Sequence, residues 1–338
     1  MIYDDLTPEA LIEKAEQWEQ SGRLTEALEV WRAAAELEPD PEALCQFASL
    51  AMKLERWSAA EEALIKAVKI APLLPNPHTL LGSLYFKRDM LEKAVNCFEK
   101  SLAIEPSASV FTLLGVCQLE FGLTEAGKAS LEQAISINPN YEEAYYNLGL
   151  LYRETEPSRS IDLFAKAVTL DPEYAQAHRE LGWALSRFQG KDAEAEYHIR
   201  RAIEFDVEDG WAHIYLGNIL WQREDLNSAE QSFKKAVEVW SDIAVPYWCL
   251  ALFYERVGRT DDATCLYQRG VTVEPDDIQA NKLFGLYLND LGETAKARTH
   301  LERALALDPK DALRQKSFSA TKKHKAQIGP APIRAFNL

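Results

Sequence analysis

Apolar residues in this chain recur with the period of an amphipathic helix. Within the stretch 139–172, Tyr145, Leu148 and Tyr152 are separated by steps of three and four residues. Such steps return an α-helix to the same face, so the pattern predicts a helix with one buried side. The second half of the stretch shows the same steps around Phe164. The stretch therefore predicts two helices joined by a short turn.

Small residues mark the place where these two helices cross. Gly149 stands in the first predicted helix and Ala167 in the second, and each leaves room for the facing helix to approach closely. Pro172 follows the second helix and ends it, because proline has no backbone N–H to donate. The pattern predicts a helical hairpin bounded by prolines.

The hairpin recurs along the chain at a regular spacing. The small residue of its first helix reappears every 33 to 35 residues. These small residues are Ala15, Ala48, Gly82, Gly115, Gly149, Gly182, Gly217, Ala251 and Gly285. A period of this length predicts an array of stacked hairpins that grows by repetition rather than by adding separate globular domains.

The residue order of the hairpin resembles that of the tetratricopeptide repeat, a helix–turn–helix unit of about 34 residues. The residues that carry the resemblance are Tyr145, Leu148, Gly149, Tyr152, Ser160, Phe164, Ala167 and Pro172, in that order. The resemblance implies an all-α fold, a right-handed α-solenoid (superhelix) of helical hairpins. The predicted division is an N-terminal extension over 1–7, nine tandem repeats over 8–311, and a short capping helix with a flexible basic tail over 312–338. The predicted repeats are 8–40, 41–74, 75–107, 108–140, 141–173, 174–208, 209–243, 244–277 and 278–311.

Charge and cysteine usage narrow the functional classes. The chain has 37 basic and 53 acidic residues, a net charge of −16, which argues against nucleic-acid and anionic-membrane partners. Its five cysteines form no CxxC pair, which disfavours a zinc cluster or a disulfide framework. The sequence shows no signal peptide and no apolar run long enough for a membrane span, so we expect a cytoplasmic protein.

No catalytic motif is visible in the sequence. Phosphate-binding, dinucleotide-binding, nucleophile-elbow and HExxH patterns are absent. His78, His178 and His213 occupy equivalent positions in three repeats, but packed helices lie about 10 Å apart, too far for these rings to share one metal ion. We interpret the histidines as packing residues, and we expect no cofactor, no metal and no enzymatic activity.

The other face of each first helix is the candidate binding surface. In solenoids of the family that the chain resembles, this face lines a concave groove. The seventh repeat places Trp211, Tyr215 and Trp221 there, which predicts an exposed binding patch or a covered face. The predicted partner-binding residues of repeats 5 to 8 are Tyr146, Asn147, Leu150, Arg153, Arg179, Trp183, Trp211, Tyr215, Asn218, Trp221, Trp248, Leu252 and Arg256.

These residues predict a scaffold that binds a protein or peptide partner, helical or extended, whose identity the sequence does not give. Tryptophan, tyrosine and arginine dominate binding hot spots. Arg153, Arg179 and Arg256 are expected to hold carboxylates or backbone carbonyls, and Asn147 and Asn218 the partner's main chain.

Self-assembly is the alternative function. From Lys310 onward the chain has seven basic residues and one acidic residue, whereas Glu9, Glu13 and Glu16 give the first repeat an acidic face. The basic tail would dock on that face in the same molecule or in a neighbour, and the contact would weaken as salt rises. A further alternative for the groove is intramolecular cover: the superhelix closes on itself, or the chain's own tail folds in over these side chains.

Overall fold

The structure is a computed structural model that describes residues 7–37, 40–188 and 190–307. Over these described residues the secondary structure is entirely helical, which confirms the all-α prediction. The helices are α1 (Pro8–Gln20), α2 (Leu24–Leu37), α3 (Pro41–Lys53), α4 (Trp57–Ile70), α5 (Pro75–Lys87), α6 (Leu91–Ile104), α7 (Ala108–Glu120), α8 (Thr124–Ile137), α9 (Glu142–Tyr152), α10 (Pro157–Leu170), α11 (Ala175–Ser186), α12 (Asp192–Phe205), α13 (Gly210–Gln222), α14 (Leu226–Val239), α15 (Ala244–Arg256), α16 (Thr260–Val273), α17 (Ile278–Asp290) and α18 (Thr294–Leu307).

Each odd-numbered helix packs against the even-numbered helix that follows it, which gives consecutive helical hairpins from α1–α2 to α17–α18. The small residues stand where the two helices approach most closely. A methyl group at Gly149 would lie 2.5 Å from a ring carbon of Phe164, so no larger residue fits there without movement. The spacing of small and bulky residues in the sequence therefore corresponds to the contacts between the two helices of each hairpin.

A side-chain hydrogen bond recurs where one hairpin follows another. In six of the described hairpins, the residue four positions before the small residue of the first helix donates to the backbone carbonyl oxygen six residues earlier. The donors are His78 (3.1 Å), Tyr145 (3.1 Å), His178 (3.1 Å), His213 (3.0 Å), Tyr247 (2.8 Å) and Asn281 (2.8 Å). Each accepting carbonyl lies two residues past the end of the preceding second helix, so the bond ties the turn between hairpins to the next first helix. The three equivalent histidines therefore have a structural role in their hairpins.

Neighbouring hairpins are also joined by carboxylates on the second helices. Glu61 on α4 accepts hydrogen bonds from the hydroxyl of Tyr85 (3.0 Å) and the guanidinium of Arg88 (2.9 Å) on the next hairpin. Glu230 on α14 accepts the equivalent bonds from Tyr254 (2.7 Å) and from the guanidinium of an arginine in the following turn. These bonds fix one hairpin against the next.

The chain divides into two compact units, Met1–Asp171 and Pro172–Leu338. The described part of the first unit contains α1 to α10, and that of the second contains α11 to α18. Among the described residues, no helix is both long and apolar enough to cross a membrane. The repeat boundaries and the cytoplasmic location stay predictions. The predicted capping helix and basic tail over 312–338, and most of the extension over 1–7, lie outside the described residues.

Candidate binding face

Three aromatic rings lie side by side on two neighbouring first helices of the second unit. The ring of Trp183 on α11 lies 6.3 Å from that of Tyr215 on α13, measured between ring centroids. Trp211 stacks on Tyr215 at 5.8 Å with an interplanar angle of 28°. All three side chains are half-buried, so each keeps part of its surface exposed. The structure thus brings these three predicted site residues together.

The start of α13 holds Trp211 in place. Asp209 caps the helix by accepting a hydrogen bond from the backbone N–H of Ala212 (3.1 Å). The ring of Trp240 packs on Gly210, where an added methyl group would lie only 2.3 Å from it. The same ring meets Trp211 edge to face at 5.8 Å. Trp211 is therefore held from two sides by aromatic neighbours.

Trp221 and Asn218 complete the described face of α13. The half-buried ring of Trp221 packs edge to face on Phe253 of α15 at 5.5 Å and on Phe233 of α14 at 6.5 Å. The side-chain oxygen of Asn218 is buried and has no hydrogen-bond partner within the described residues. An unsatisfied buried acceptor costs free energy until a donor reaches it. We call Trp183, Trp211, Tyr215, Asn218 and Trp221 the aromatic face.

Arg179 has a different role from the one predicted for it. Its guanidinium lies 2.7 Å from a carboxylate oxygen of Asp209 and 3.0 Å from one of Glu180. The two carboxylate side chains are only 2% and 4% exposed, so they need this positive charge. The expected role in holding a partner's carboxylate is corrected accordingly: Arg179 joins two successive hairpins.

Trp248 also differs from its prediction, because only 2% of it is exposed. The rest of α15 explains this burial: Tyr247, Cys249 and Phe253 around it are buried as well. Burial also raises the pKa of the Cys249 thiol. Trp248 therefore belongs to the core. On the same helix Leu252 is half-buried and Arg256 is exposed, so both keep accessible surface, and their place in one binding surface with the aromatic face stays a prediction.

The predicted site residues of the fifth repeat lie in the first unit, on or directly after α9. Tyr146 packs near Phe164 with ring centroids 5.9 Å apart, and Leu150 is half-buried. Asn147 donates to the backbone carbonyl of the residue four positions earlier at 2.7 Å, and the guanidinium of Arg153 lies 3.5 Å from a neighbouring carboxylate. Their membership of one binding surface with repeats 6 to 8 stays a prediction.

Sequence reasoning missed Trp240 as part of this region. It stands directly after the second helix of its hairpin, outside the first-helix positions from which the binding surface was predicted. The signal that was available is the glycine at the start of α13, since Gly210 leaves the space that the Trp240 ring fills.

The described residues contain no group of three side chains placed to bind a metal ion. One polar pair is notable: the Nδ1 atoms of His178 and His198 lie 2.9 Å apart. The Nε2 atom of His178 must donate to the carbonyl of Pro172, so in the neutral ring its Nδ1 accepts from His198. Burial and the neighbouring His178 lower the pKa of His198 to about 4. The pair is a partly buried structural contact between α11 and α12.

Consecutive helical hairpins that cross at small residues define the fold class, an all-α helical-repeat solenoid. A family model described as "Tetratricopeptide repeat" matches residues 76–107, 108–141, 212–239 and 280–311, and one described as "TPR repeat" matches 129–155. The chain is a tetratricopeptide repeat protein. The matches cover five segments, so the count of nine repeats stays a prediction.

Two relatives that the chain matches are much longer proteins. It is 26% identical to Superkiller protein 3 of Schizosaccharomyces pombe over 283 residues, which is 75% of this chain and 20% of that protein. It is 24% identical to Anaphase-promoting complex subunit 3 of the same organism, over 66% of this chain and 34% of that protein. The chain thus spans between a fifth and about a third of the length of these relatives.

The human IFIT1 dimer, solved with m7Gppp-AAAA, has a similar fold. Its TM-score is 0.58, with 16% identity over 88% of this chain and 81% of that one. Identity this low shows the fold alone.

Proposed function

We propose that the chain is a non-enzymatic protein-interaction scaffold and that a partner segment binds on the aromatic face of the second unit. The observation that carries the proposal is the continuous set of half-buried rings Trp183, Tyr215 and Trp211 on two neighbouring hairpins. Rings of this size supply most of the binding free energy at protein interfaces.

The packing of these rings favours binding because it limits their motion beforehand. Trp211 is held between Tyr215 and Trp240, and the guanidinium of Arg187 lies 4.8 Å from the ring of Trp183. A side chain that is already ordered loses little conformational entropy when a partner covers it. The face is therefore arranged to accept apolar side chains without first rearranging.

Polar groups beside the rings would orient the partner. Half-buried Asn218 can hydrogen-bond the main chain of the bound segment if its side chain turns outward, because its side-chain oxygen is buried and has no partner within the described residues. Exposed Arg256, beside half-buried Leu252, can pair with a carboxylate at the edge. Backbone amides and carboxylates occur in any protein segment, so Asn218 and Arg256 suit either an extended peptide or the end of a helix.

The relatives support a role in assemblies. Anaphase-promoting complex subunit 3 is named as a subunit of a complex. We extend that role to this chain, with its partner defined as a protein segment bearing apolar anchors.

The test compares matched aromatic substitutions. Partners are identified by proximity labelling with mass spectrometry, and the affinity of the identified partner is then measured for wild type, Trp211→Ala and the control Tyr197→Ala. Tyr197 is an aromatic residue on a second helix, 58% exposed and away from the aromatic face. We expect Trp211→Ala to weaken binding by about 2–4 kcal/mol, or roughly 30- to 1,000-fold in Kd, and Tyr197→Ala to leave it unchanged. Equal affinities for all three folded proteins would refute the site.

Self-assembly through the basic tail gives a different result. That segment lies outside the described residues, so the alternative depends on charge alone. Light scattering of the chain at low and high salt separates the two functions: a mass that falls as salt rises supports self-assembly, and a constant monomer mass supports the scaffold.

A further inference from the structure

The second helix of the second hairpin, α4, has a cluster of exposed apolar side chains toward its C-terminal end. Ile65 is 37% exposed, and Ile70, the last residue of the helix, is 48% exposed. Leu73 in the turn that follows is 81% exposed, more than any other large hydrophobic residue in the described part of the chain. Single exposed leucines are common on protein surfaces, whereas a cluster of this kind marks an interaction site.

The other repeats do not place large apolar residues at the positions of Ile65 and Leu73. Both positions can be counted from the buried small residue near the start of each second helix, which is Ala60 in α4. Thirteen residues later, where this hairpin has Leu73, the other repeats have Asp40, Ser107, Asn140, Glu173, Glu208, Asp242, Asp276 and Lys310. Five residues later, where α4 has Ile65, they have Arg32, Glu99, Glu132, Ala165, Arg200, Lys234, Gln268 and Glu302. The repeat fold therefore does not require an apolar residue at either position.

Two lysines lie among these apolar residues. Lys66 and Lys69 are exposed, and neither forms an ion pair with a described residue. Lys69 is one helical turn from Ile65, and Lys66 is one turn from Ile70, so charged and apolar side chains are neighbours on α4. At the offset of Lys69 the other second helices have glutamate, alanine, serine or threonine. We call Ile65, Lys66, Lys69, Ile70 and Leu73 the α4 patch.

The turn after α4 holds Leu73 close to the end of the helix. The backbone N–H of Leu74 donates to the carbonyl oxygen of Ala71 at 3.1 Å, which closes a four-residue turn with Leu73 as its third residue. Pro72 and Pro75 stand on either side of Leu73 and Leu74, and each proline fixes one backbone φ angle. A turn that is restricted in this way loses little conformational entropy when a partner covers Leu73.

We propose that the α4 patch is a second docking surface, in the first unit, and that it binds an acidic amphipathic helix of a partner protein. Apolar side chains of that helix cover Ile65, Ile70 and Leu73. Its carboxylates pair with Lys66 and Lys69, which have no such partner among the described residues. A helix suits this surface because residues four apart on α4 form a ridge that packs into the groove between side-chain rows of a facing helix.

The charges around the patch favour an acidic helix over an anionic membrane surface. The chain has a net charge of −16, which opposes its attraction to a large negative surface. At physiological salt a charge acts over about 8 Å, so a short bound helix is influenced mainly by Lys66 and Lys69. Of the two acidic residues that precede them on α4, Glu61 is paired with Arg88 at 2.9 Å. The other, Glu62, lies one turn before Lys66 and limits the patch on its N-terminal side.

Fluorescence anisotropy of the full chain with two labelled synthetic peptides tests the proposal. Both peptides have roughly 20 residues, long enough to form a helix, and both have leucines along one face. The flanking positions are glutamate in the acidic peptide and lysine in the basic peptide. We expect the wild type to bind the acidic peptide about tenfold more tightly than the basic one, with a difference that narrows as salt rises.

Variants of the chain locate the binding. Leu73→Asp should weaken binding of the acidic peptide about tenfold. Ile137→Asp introduces the same residue at a 40% exposed position two hairpins further along, and it should leave binding unchanged. Lys66→Glu and Lys69→Glu together should reverse the preference, so that the chain binds the basic peptide more tightly.

Equal affinities of the wild type for the two peptides, or no measurable binding of the acidic peptide, would overturn the proposal. So would equal affinities of Leu73→Asp and Ile137→Asp for the acidic peptide. Co-sedimentation with vesicles that contain phosphatidylserine, if it depends on Lys66 and Lys69, would assign the patch to a membrane surface instead. A mass in light scattering that halves in Leu73→Asp would assign it to a second copy of the chain.

The variants test binding and not folding, because every substituted side chain is exposed. Aspartate also stands at the offset of Leu73 in other repeats, as Asp40 and Asp242, so the turn accepts it. An unchanged far-UV circular dichroism spectrum confirms that each variant is folded. The aromatic face lies in the second unit, so this proposal and the one for the aromatic face can fail separately.

Discussion

Replacing Arg179 by methionine should destabilise the second unit far more than the same change at Arg256. Sequence reasoning assigned both arginines to partner binding. The structure places the guanidinium of Arg179 between the carboxylates of Asp209 and Glu180, at 2.7 and 3.0 Å, and leaves Arg256 exposed.

The magnitude follows from the two carboxylates that the substitution would leave behind. Their side chains are 2% and 4% exposed, so water cannot replace the lost charge. Removing one partner of a buried pair typically costs about 3–5 kcal/mol. The bond that Asp209 keeps with the N–H of Ala212 reduces the loss, so we expect about 2–4 kcal/mol for Arg179→Met. For Arg256→Met we expect less than about 0.5 kcal/mol, because surface substitutions usually change stability little.

Urea unfolding at neutral pH, followed by circular dichroism, measures the two variants side by side. Arg179→Met should shift the unfolding transition of the second unit to clearly lower urea, and Arg256→Met should leave it in place. If the two variants unfold at the same urea concentration, the ion pairs of Arg179 do not stabilise the hairpins and the reassignment of this residue is wrong.

Three further predictions test other parts of the structure. Gly149→Ala should lower the free energy of unfolding by about 1–3 kcal/mol, because the new methyl group would lie 2.5 Å from the Phe164 ring. In an uncrowded helix the same change usually stabilises the protein, so an increase in stability toward urea would contradict the close crossing of the two helices. The lowered pKa of His198, about 4 against an ordinary 6.5, means that the unfolded chain binds a proton first as pH falls. The free energy of unfolding of the wild type should therefore drop by about 2 kcal/mol between pH 6.5 and 4, and the drop should be smaller in His198→Asn. Identical pH profiles of the wild type and His198→Asn would count against the contact between His178 and His198. Tyr254→Phe should lower the free energy of unfolding by about 1 kcal/mol, because it removes the 2.7 Å hydrogen bond to Glu230. Tyr197→Phe changes an exposed ring and should leave the free energy of unfolding unchanged. Equal melting temperatures of the two variants would exclude a stabilising role for the Tyr254–Glu230 bond.

The fold was predictable because one local pattern determines it. Small residues such as Gly149, bulky ones such as Phe164 and closing prolines recur at fixed offsets, and each has a direct packing consequence within its own hairpin. The structural role of the equivalent histidines was predictable for the same reason, since their hydrogen-bond acceptor lies only six residues away.

The details of the binding face were less predictable because they depend on contacts between hairpins. The ion pair of Arg179 with Asp209 joins residues 30 positions apart, and nothing local in the sequence indicates it. The burial of Trp248 depends on how deeply neighbouring helices cover α15, whereas helical periodicity gives only the direction of a side chain. His198 was interpretable from sequence only as part of a helix surface, and its partner His178 lies on the other helix of the hairpin.

Site-specific photo-crosslinking tests the central claim most directly. Gln222 is exposed at the end of α13, on the helical stripe that contains Trp211, Tyr215 and Asn218, and Tyr197 on α12 is its control position. With a photoreactive amino acid at each position in turn, we predict that position 222 captures a discrete partner segment in cells and that this capture is lost in Trp211→Ala. Capture of the same partner at position 197 and not at 222 would contradict the assignment of the aromatic face as the binding surface.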